Sequence, residues 1–331
     1  MNAQSDLGEA EVPPILTPTR IMLQRIATIA LNTYREAARA RILYGLVGVA
    51  IATALYAVVV GTYTLRSAPR VISDLGSSSI SIYAIVVAIV LTGTSLHREL
   101  EYKTIFPILA RPIHRAEYLI GKFLGNLLTL AVFIAIDGFV VLLTLAAIGG
   151  RSTPLVAGIG LGAVAVLVVL VVKFKSFGTF VPIPWALIML IVASVLASGH
   201  PDELRVVLGM CALTLFEVAI VSGIAMVFAS FSSPFLTAVL TLGVFVVGRQ
   251  ADSLAKLPTK VFGQAIHDVG VMLSKIVPNL HVYVPARPLL TGEAMETPLG
   301  QYLGMAGLQS VGWTIGLLVV SMIIFQKRDF L

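Results

Sequence analysis

The sequence has little charge and almost no cysteine. Charged residues make up 12% of its 331 residues, and Cys211 is its one cysteine. That charged fraction is roughly half of what an ordinary soluble domain carries. A lone cysteine excludes a disulfide framework or a thiolate metal site within one chain.

Signatures of enzymes are also missing. The chain has no G-x-x-x-x-G-K-[ST] stretch to bind nucleotide phosphates, and the nearest match, at Gly121 and Lys122, lacks the first glycine and the final Ser or Thr. It has neither a G-x-S-x-G nucleophile elbow nor an H-E-x-x-H metal pair. We therefore predict that this chain is not an enzyme, has no catalytic residues, and binds no metal or cofactor.

Long apolar runs are abundant instead. Hydrophobic residues make up 57% of the chain, and mean hydropathy is +0.95. Since a helix needs about 20 apolar residues to cross a bilayer, we searched for runs of that length and found 42–65, 79–96, 123–150, 154–172, 181–199, 206–248 and 305–325. The sixth is too long for one span, and "FSSPF" at 231–235 predicts a tight turn within it. The prediction is an all-α polytopic membrane protein with about eight spans.

The basic residues predict the orientation. With eight spans both termini share one side, whose short segments carry Arg20, Arg25, Arg35, Arg39, Arg41, Arg98, Lys103, Arg111, Arg115, Lys122, Lys173, Lys175, Lys327 and Arg328. Short loops on the other side carry Arg66, Arg70, Arg151 and Arg205. Because positive charge marks the cytoplasmic face, we predict cytoplasmic termini in the inner (plasma) membrane and an external segment at 249–304. The net charge of +6 reflects these flanks and does not predict a nucleic-acid partner.

The sequence divides into an N-terminal tail, an interfacial helix and a transmembrane domain. Residues 1–19 are acidic, polar and proline-bearing, which predicts a flexible cytoplasmic tail and no cleaved signal. Polar positions recur every three to four residues over 20–41, which predicts an interfacial elbow helix or, alternatively, a simple juxtamembrane anchor. We assign 42–331 to one transmembrane domain. Within it, 260–276 predicts an external amphipathic helix that either gates a passage or caps the bundle.

A charged, proline-bearing segment, "HRELEYKTIFPILARPIHRAEYLIGKFLG" at 97–125, separates the second and third apolar runs. A short helix with apolar side chains between charges is suited to a groove on a cytoplasmic partner, and it can transmit rigid-body motion. The next helix continues from it into the third span. The candidate docking residues are Glu99, Glu101, Tyr102, Lys103, Thr104, Ile105, Phe106, Leu109, Arg111, Pro112 and Arg115.

Two carboxylates, Asp137 and Glu217, lie inside predicted spans. A charge at the bilayer centre costs about 2.5–3.5 kcal/mol on insertion scales, so such residues are usually functional. One hypothesis is a proton or cation relay in an ion-coupled secondary transporter. The alternative is a helix-contact residue whose polar partner lies across the bundle.

The segments "ALNTYREAARARILY" at 30–44 and "RELEYKTIFPILARPIHRAEYLIGKFLG" at 98–125 resemble the membrane permease subunits of type 2 ABC exporters. The similarity is greatest to permeases of the nitrous oxide reductase maturation system. It implies a coupling helix at 101–110 that docks on a separate cytoplasmic P-loop ATPase, which would bind ATP and Mg²⁺. It also implies an assembly of two permeases and two ATPases. Such permeases usually have six spans, so 154–199 is an additional hairpin by this comparison.

We therefore predict the permease subunit of an ATP-driven ABC exporter. Two alternatives stay open. One is the secondary transporter that would use Asp137 and Glu217, and the other is a non-transporting membrane scaffold that recruits proteins through 97–122.

Overall fold

The computed structural model describes residues 18–64, 67–101, 114–174, 177–256, 264–293 and 298–327, and the architecture below is that of these residues. They form helices and no strand, which confirms the all-α prediction. The α-helices are α1 (Pro18–Ala38), α2 (Arg41–Thr62), α3 (Ala68–Glu101), α4 (Arg115–Ile148), α5 (Thr153–Lys173), α6 (Pro182–Leu196), α7 (Pro201–Ala229), α8 (Pro234–Arg249), α9 (Ala251–Ala255), α10 (Gln264–Ile276), α11 (Arg287–Thr291) and α12 (Leu299–Gln326).

Seven of the described segments are long and apolar enough to cross a membrane, namely Leu43–Thr62, Ala68–Leu96, Arg115–Ile148, Thr153–Lys173, Gly178–Gly199, Pro201–Ala229 and Leu299–Gln326. The remaining predicted span, the second half of the run 206–248, corresponds to α8, which has only 16 residues. At 1.5 Å per residue α8 rises about 24 Å, less than the thickness of the hydrocarbon core.

The turn predicted at "FSSPF" separates α7 from α8. Helix α7 ends at Ala229 and α8 begins at Pro234, where the fixed φ of proline suits a first helical position. Ser233 is the N-cap residue of α8, and its side chain accepts a hydrogen bond from the backbone N–H of Leu236 at 3.4 Å. The two helices therefore form an antiparallel pair.

Helix α7 lies at the centre of the bundle. It packs against α3, α4, α8 and α12, and its side chains at Val207, Leu213, Val218 and Ile220 are completely buried. A helix that is apolar around its whole circumference is stable only when other helices surround it or lipid does. Here protein surrounds it, because most of α7 is covered.

Helices α5 and α6 lie at the periphery. Helix α6 packs on α4, where the Trp185 ring meets the edge of the Phe139 ring with centroids 6.1 Å apart. The indole N–H of Trp185 donates to the carbonyl oxygen of Ala163 at 3.2 Å and so ties α6 to α5. Most of α5 is exposed, as expected for a lipid-facing helix in a membrane protein.

The bundle has two ends that differ in their contacts. At one, Tyr34 of α1 stacks on Phe180 in the connection between α5 and α6, with ring centroids 6.0 Å apart. At the other, Arg287 pairs with Asp74 near the start of α3 and with Glu203 near the start of α7. We call these the α1 end and the Arg287 end.

Candidate functional site

Three of the candidate docking residues lie in the described part of the chain, at the end of α3 and the start of α4. Glu99 and Glu101 belong to the last turn of α3, and Arg115 is the first residue of α4. The other candidates lie outside the described residues; they are Tyr102, Lys103, Thr104, Ile105, Phe106, Leu109, Arg111 and Pro112. The predicted coupling helix at 101–110 is thus flanked by two helices of 34 residues each.

Arg115 joins the start of α4 to the end of α12. Its guanidinium donates hydrogen bonds to the carbonyl oxygens of Phe325 at 3.3 Å and Gln326 at 2.9 Å. The last carbonyls of a helix have no partner within the helix, and a cation is favourable beside them. One turn further along α4, the Tyr118 ring stacks on the buried Phe325 ring at a centroid distance of 6.3 Å.

Two glycines allow α1 to pack closely on α4. A Cβ atom at Gly121 would lie 2.7 Å from the Ile29 side chain, and one at Gly125 would lie 2.5 Å from the carbonyl oxygen of Ala30. Real Cβ contacts are not that short, so both positions require glycine at this helix separation. The two glycines are four residues apart and therefore share one face of α4.

Two ion pairs add to this contact. The Lys122 ammonium lies 3.6 Å from a carboxylate oxygen of Glu36 on α1, and it donates to the Ser95 hydroxyl on α3 at 3.4 Å. Arg25 on α1 lies 3.8 Å from Glu117 on α4. With the Arg115 contacts, these pairs join α1, α3, α4 and α12 near the end of α3 and the start of α4. We call this region the junction.

A second polar cluster lies inside the bundle at Glu217. The Arg249 guanidinium donates to both carboxylate oxygens of Glu217, at 2.7 and 2.8 Å, and to the Ser81 hydroxyl at 2.7 Å. Glu217 is 0% exposed. A bidentate pair with such short distances satisfies a buried carboxylate and joins α3, α7 and α8.

Glu217 stands out in the sequence as an acid within a predicted span, whereas its partner does not. Arg249 lies at the start of the predicted external segment 249–304. A signal was present, because Glu217 and Arg249 lie equally far along the chain from Ser233 in the turn. Two helices that run antiparallel from a tight turn bring such residues to the same depth.

The predicted external segment also contains buried residues. The backbone N–H of Leu280 donates to the carbonyl oxygen of Gly248 at 3.0 Å, next to Arg249. Leu280 and Tyr283 are completely buried, and the Tyr283 hydroxyl donates to the carbonyl oxygen of Ala306 at 3.3 Å. Part of 249–304 therefore packs between the helices. Within the predicted amphipathic helix, the structure has α10 (Gln264–Ile276).

Asp137 differs from Glu217 in having no partner. It lies on α4 beside Cys211 of α7, is 2% exposed, and neither carboxylate oxygen has a hydrogen-bond partner among the described residues. The helices are close here, since a Cβ atom at the neighbouring Gly138 would lie 2.8 Å from the Cys211 sulfur. No second acid, histidine or arginine pairs with it in the described structure.

The described residues also contain no group of three or more His, Cys, Asp or Glu side chains that could hold a metal ion. The functional assignment therefore depends on the bundle and the junction. A family model described as "ABC-2 family transporter protein" matches residues 58–330. The chain belongs to this family. A comparison with curated proteins found no match.

As an ABC-2 protein the chain is a multi-pass membrane permease, a transport subunit that is not itself catalytic. Permeases of this family typically work with an ATPase partner. The matched range begins within α2, so it leaves out α1. It includes α3, the α3–α4 connection and every later helix.

Proposed function

We propose that the chain is the permease subunit of an ATP-driven ABC exporter and that residues 101–110 are its coupling helix. In this proposal two copies of the permease work with two cytoplasmic P-loop ATPase subunits, which bind ATP and Mg²⁺. The observation that carries the proposal is the junction. Ion pairs and helix-end contacts join four helices near the end of α3 and the start of α4, the two helices that precede and follow the proposed coupling helix in the chain.

The junction supplies a mechanical path from partner to membrane. Helix α4 is continuous over 34 residues, from Arg115 to Ile148. At 1.5 Å per residue it is about 51 Å long, so a push on its first residue is delivered through the whole bilayer. Arg115 and Lys122 would carry the same displacement to α12, α1 and α3. Alternating access then follows from rocking of the two permease copies as rigid bodies.

The orientation that this mechanism requires agrees with the charge distribution. The start of α4, the end of α12 and the connection between α5 and α6 all lie at the α1 end. The segments at this end carry most of the basic residues next to spans, which supports a cytoplasmic α1 end and cytoplasmic termini. The similarity at 98–125 to permeases of the nitrous oxide reductase maturation system is part of this proposal.

The first test is co-purification. The native complex is extracted in mild detergent, and the amount of P-loop ATPase that stays with the permease is measured by quantitative mass spectrometry. Phe106→Asp introduces a charge into the apolar side chains of the coupling helix, and we expect loss of the ATPase with no change in permease yield. Phe177→Asp is the matched control, because Phe177 lies in the α5–α6 connection at the same end and is exposed.

The outcomes separate the three hypotheses. ATPase retained by Phe177→Asp and lost from Phe106→Asp supports the coupling helix. A permease that purifies alone in several mild detergents contradicts it and favours the secondary transporter. Recruitment of other cytoplasmic proteins through 97–122, without ATPase and without flux, would favour the scaffold.

A further inference from the structure

An apolar cavity of about 290 Å³ opens on the side of the bundle, between α1, α2, α4, α5 and α6. Its floor consists of nearly fully buried aromatic side chains, among them Tyr34, Phe133 and Trp185. Its mouth includes the exposed side chains of Tyr44 and Val164. Helices α2 and α5, which carry the mouth residues, are largely unburied spans, so the cavity faces the bilayer.

The chemistry of the cavity selects an apolar occupant. An apolar cavity of this size does not hold ordered water, which needs two or more polar partners. The Tyr34 hydroxyl adds no charge, because burial and the neighbouring Tyr44 raise the pKa of Tyr34 to about 12. The cavity is open toward lipid, so a hydrocarbon chain can enter from the bilayer.

A basic surface lies beside the cavity on the same helix. Asn32, Arg35, Glu36 and Arg39 of α1 line a polar depression, in which Arg35 and Arg39 are exposed. Arg35 follows Tyr34 in the chain and Arg39 follows Ala38, and both Tyr34 and Ala38 line the cavity. The depression and the cavity therefore share successive turns of α1. The Glu36 carboxylate lies 3.6 Å from the Lys122 ammonium, which offsets its charge. The depression therefore attracts an anion.

We propose that this site binds an anionic phospholipid, with one acyl chain in the cavity and the phosphate against Arg35 and Arg39. Val164 and Leu167 of α5 and Trp185 of α6 line the cavity together with residues of α1. The bound lipid thereby ties the peripheral hairpin to α1. This inference does not depend on ATP-driven transport, because every residue of the site belongs to the single chain.

Tryptophan fluorescence tests the proposal directly. The chain has two tryptophans, so Trp313→Phe leaves Trp185, in the cavity floor, as the only one. The variant is reconstituted into phosphatidylcholine vesicles. Two vesicle preparations are compared. One contains a small fraction of phosphatidylglycerol, and the other a small fraction of phosphatidylcholine, whose acyl chains are brominated near the headgroup. We expect brominated phosphatidylglycerol to quench Trp185 with about fivefold higher apparent affinity, because two arginines at the surface attract its phosphate.

Matched variants separate the two parts of the site. Val164→Phe fills the cavity mouth and should abolish most of the quenching, whereas Val166→Phe, also exposed on α5 but outside the cavity lining, should leave it unchanged. Replacing Arg35 and Arg39 together by glutamine should remove the preference for phosphatidylglycerol and keep the quenching. The same double replacement of the exposed Arg70 and Arg151 is the control.

Three results would overturn the proposal. Equal quenching by the two brominated lipids in the Trp313→Phe protein would show that the basic surface selects no headgroup. An absence of quenching by either lipid would show that no acyl chain enters, and would favour a membrane helix of another protein as the occupant. Unchanged quenching in Val164→Phe would likewise contradict occupancy of this cavity.

Discussion

Two ion pairs hold the bundle at different depths, and their geometries differ. Arg249 contacts both oxygens of the completely buried Glu217 at 2.7 and 2.8 Å. Lys122 approaches Glu36 only to 3.6 Å, and the Glu36 side chain is 33% exposed. A short bidentate pair whose carboxylate is completely buried is costly to separate, whereas a longer contact to a carboxylate that is one-third exposed is weaker. The Glu217 cluster therefore acts as a fixed point, and the junction is the part suited to movement.

This difference matches the roles in the proposed mechanism. The Glu217 cluster joins α3, α7 and α8, which must move together for the permease to rock as a rigid body. The junction connects α1 and α12 to the start of α4, where the ATPase would push. A transporter needs both a fixed contact and a contact that can open. Both involve α3, the Glu217 cluster through Ser81 and the junction through Ser95.

The largest effect is expected when the fixed point is broken. Arg249→Leu leaves the Glu217 carboxylate buried without its partner, which typically costs about 3–5 kcal/mol. We expect a large loss of unfolding free energy in mixed micelles. The double variant with Glu217→Leu should recover most of that loss, because two apolar side chains replace the pair. Equal destabilisation of the single and double variants would contradict the assignment.

A smaller effect is expected at the contact of α1 with α4. Gly125→Ala places a methyl group against the Ala30 carbonyl oxygen, a backbone atom, so α1 must shift away. Overpacking of this kind costs about 1–3 kcal/mol, and coupled ATP hydrolysis should fall with it. The control is Gly162→Ala on α5, where nothing lies within 4 Å of the added atom. Similar losses in the two variants would argue against a special role for the α1 contact.

Lys122→Met tests whether the junction transmits motion rather than only holding the fold. It removes the ammonium from Glu36 and Ser95 while it keeps the apolar stem, and we expect about 1–2 kcal/mol of stability loss. Substrate-stimulated ATP hydrolysis should decrease, whereas the ATPase should still co-purify with the permease. Normal stimulation in this variant would show that the Lys122 contacts are only structural.

The smallest effect is expected at Asp137. Because neither carboxylate oxygen of Asp137 has a hydrogen-bond partner among the described residues, Asp137→Asn keeps the shape of the side chain and breaks no described contact. We expect a stability change below about 1 kcal/mol and unchanged ATP-dependent flux. Loss of flux with ATPase binding intact would favour the ion-coupled alternative.

Composition and hydropathy predicted the membrane class and the positions of the spans, because a bilayer imposes one simple requirement on helix length. Proline and serine at 231–235 predicted the turn between α7 and α8. The same reasoning identified Glu217 and Asp137 as buried acids. It could not distinguish them, since only the packing shows that Arg249 reaches Glu217 and that no described partner reaches Asp137.

Other features depend on helix packing that no short motif encodes. Gly121 and Gly125 lie four residues apart in the sequence, but nothing in that spacing identifies α1 as the helix that packs on them. The lateral cavity arises from side chains of five helices distributed from Tyr34 to Trp185. Helix α8 matches the second half of the apolar run 206–248 in position, but its 16 residues are fewer than the about 20 that a span needs.

Site-specific cross-linking tests the central claim, that 101–110 docks on an ATPase, most directly. Cys211 is the only cysteine, so Cys211→Ser provides a cysteine-free background. In that background, Phe106→Cys and Phe177→Cys are each treated in native membranes with a short bifunctional maleimide. We predict that Phe106→Cys links the permease to a P-loop ATPase and that Phe177→Cys does so far less. Linkage from Phe177→Cys alone, or from neither position, would contradict the coupling-helix assignment.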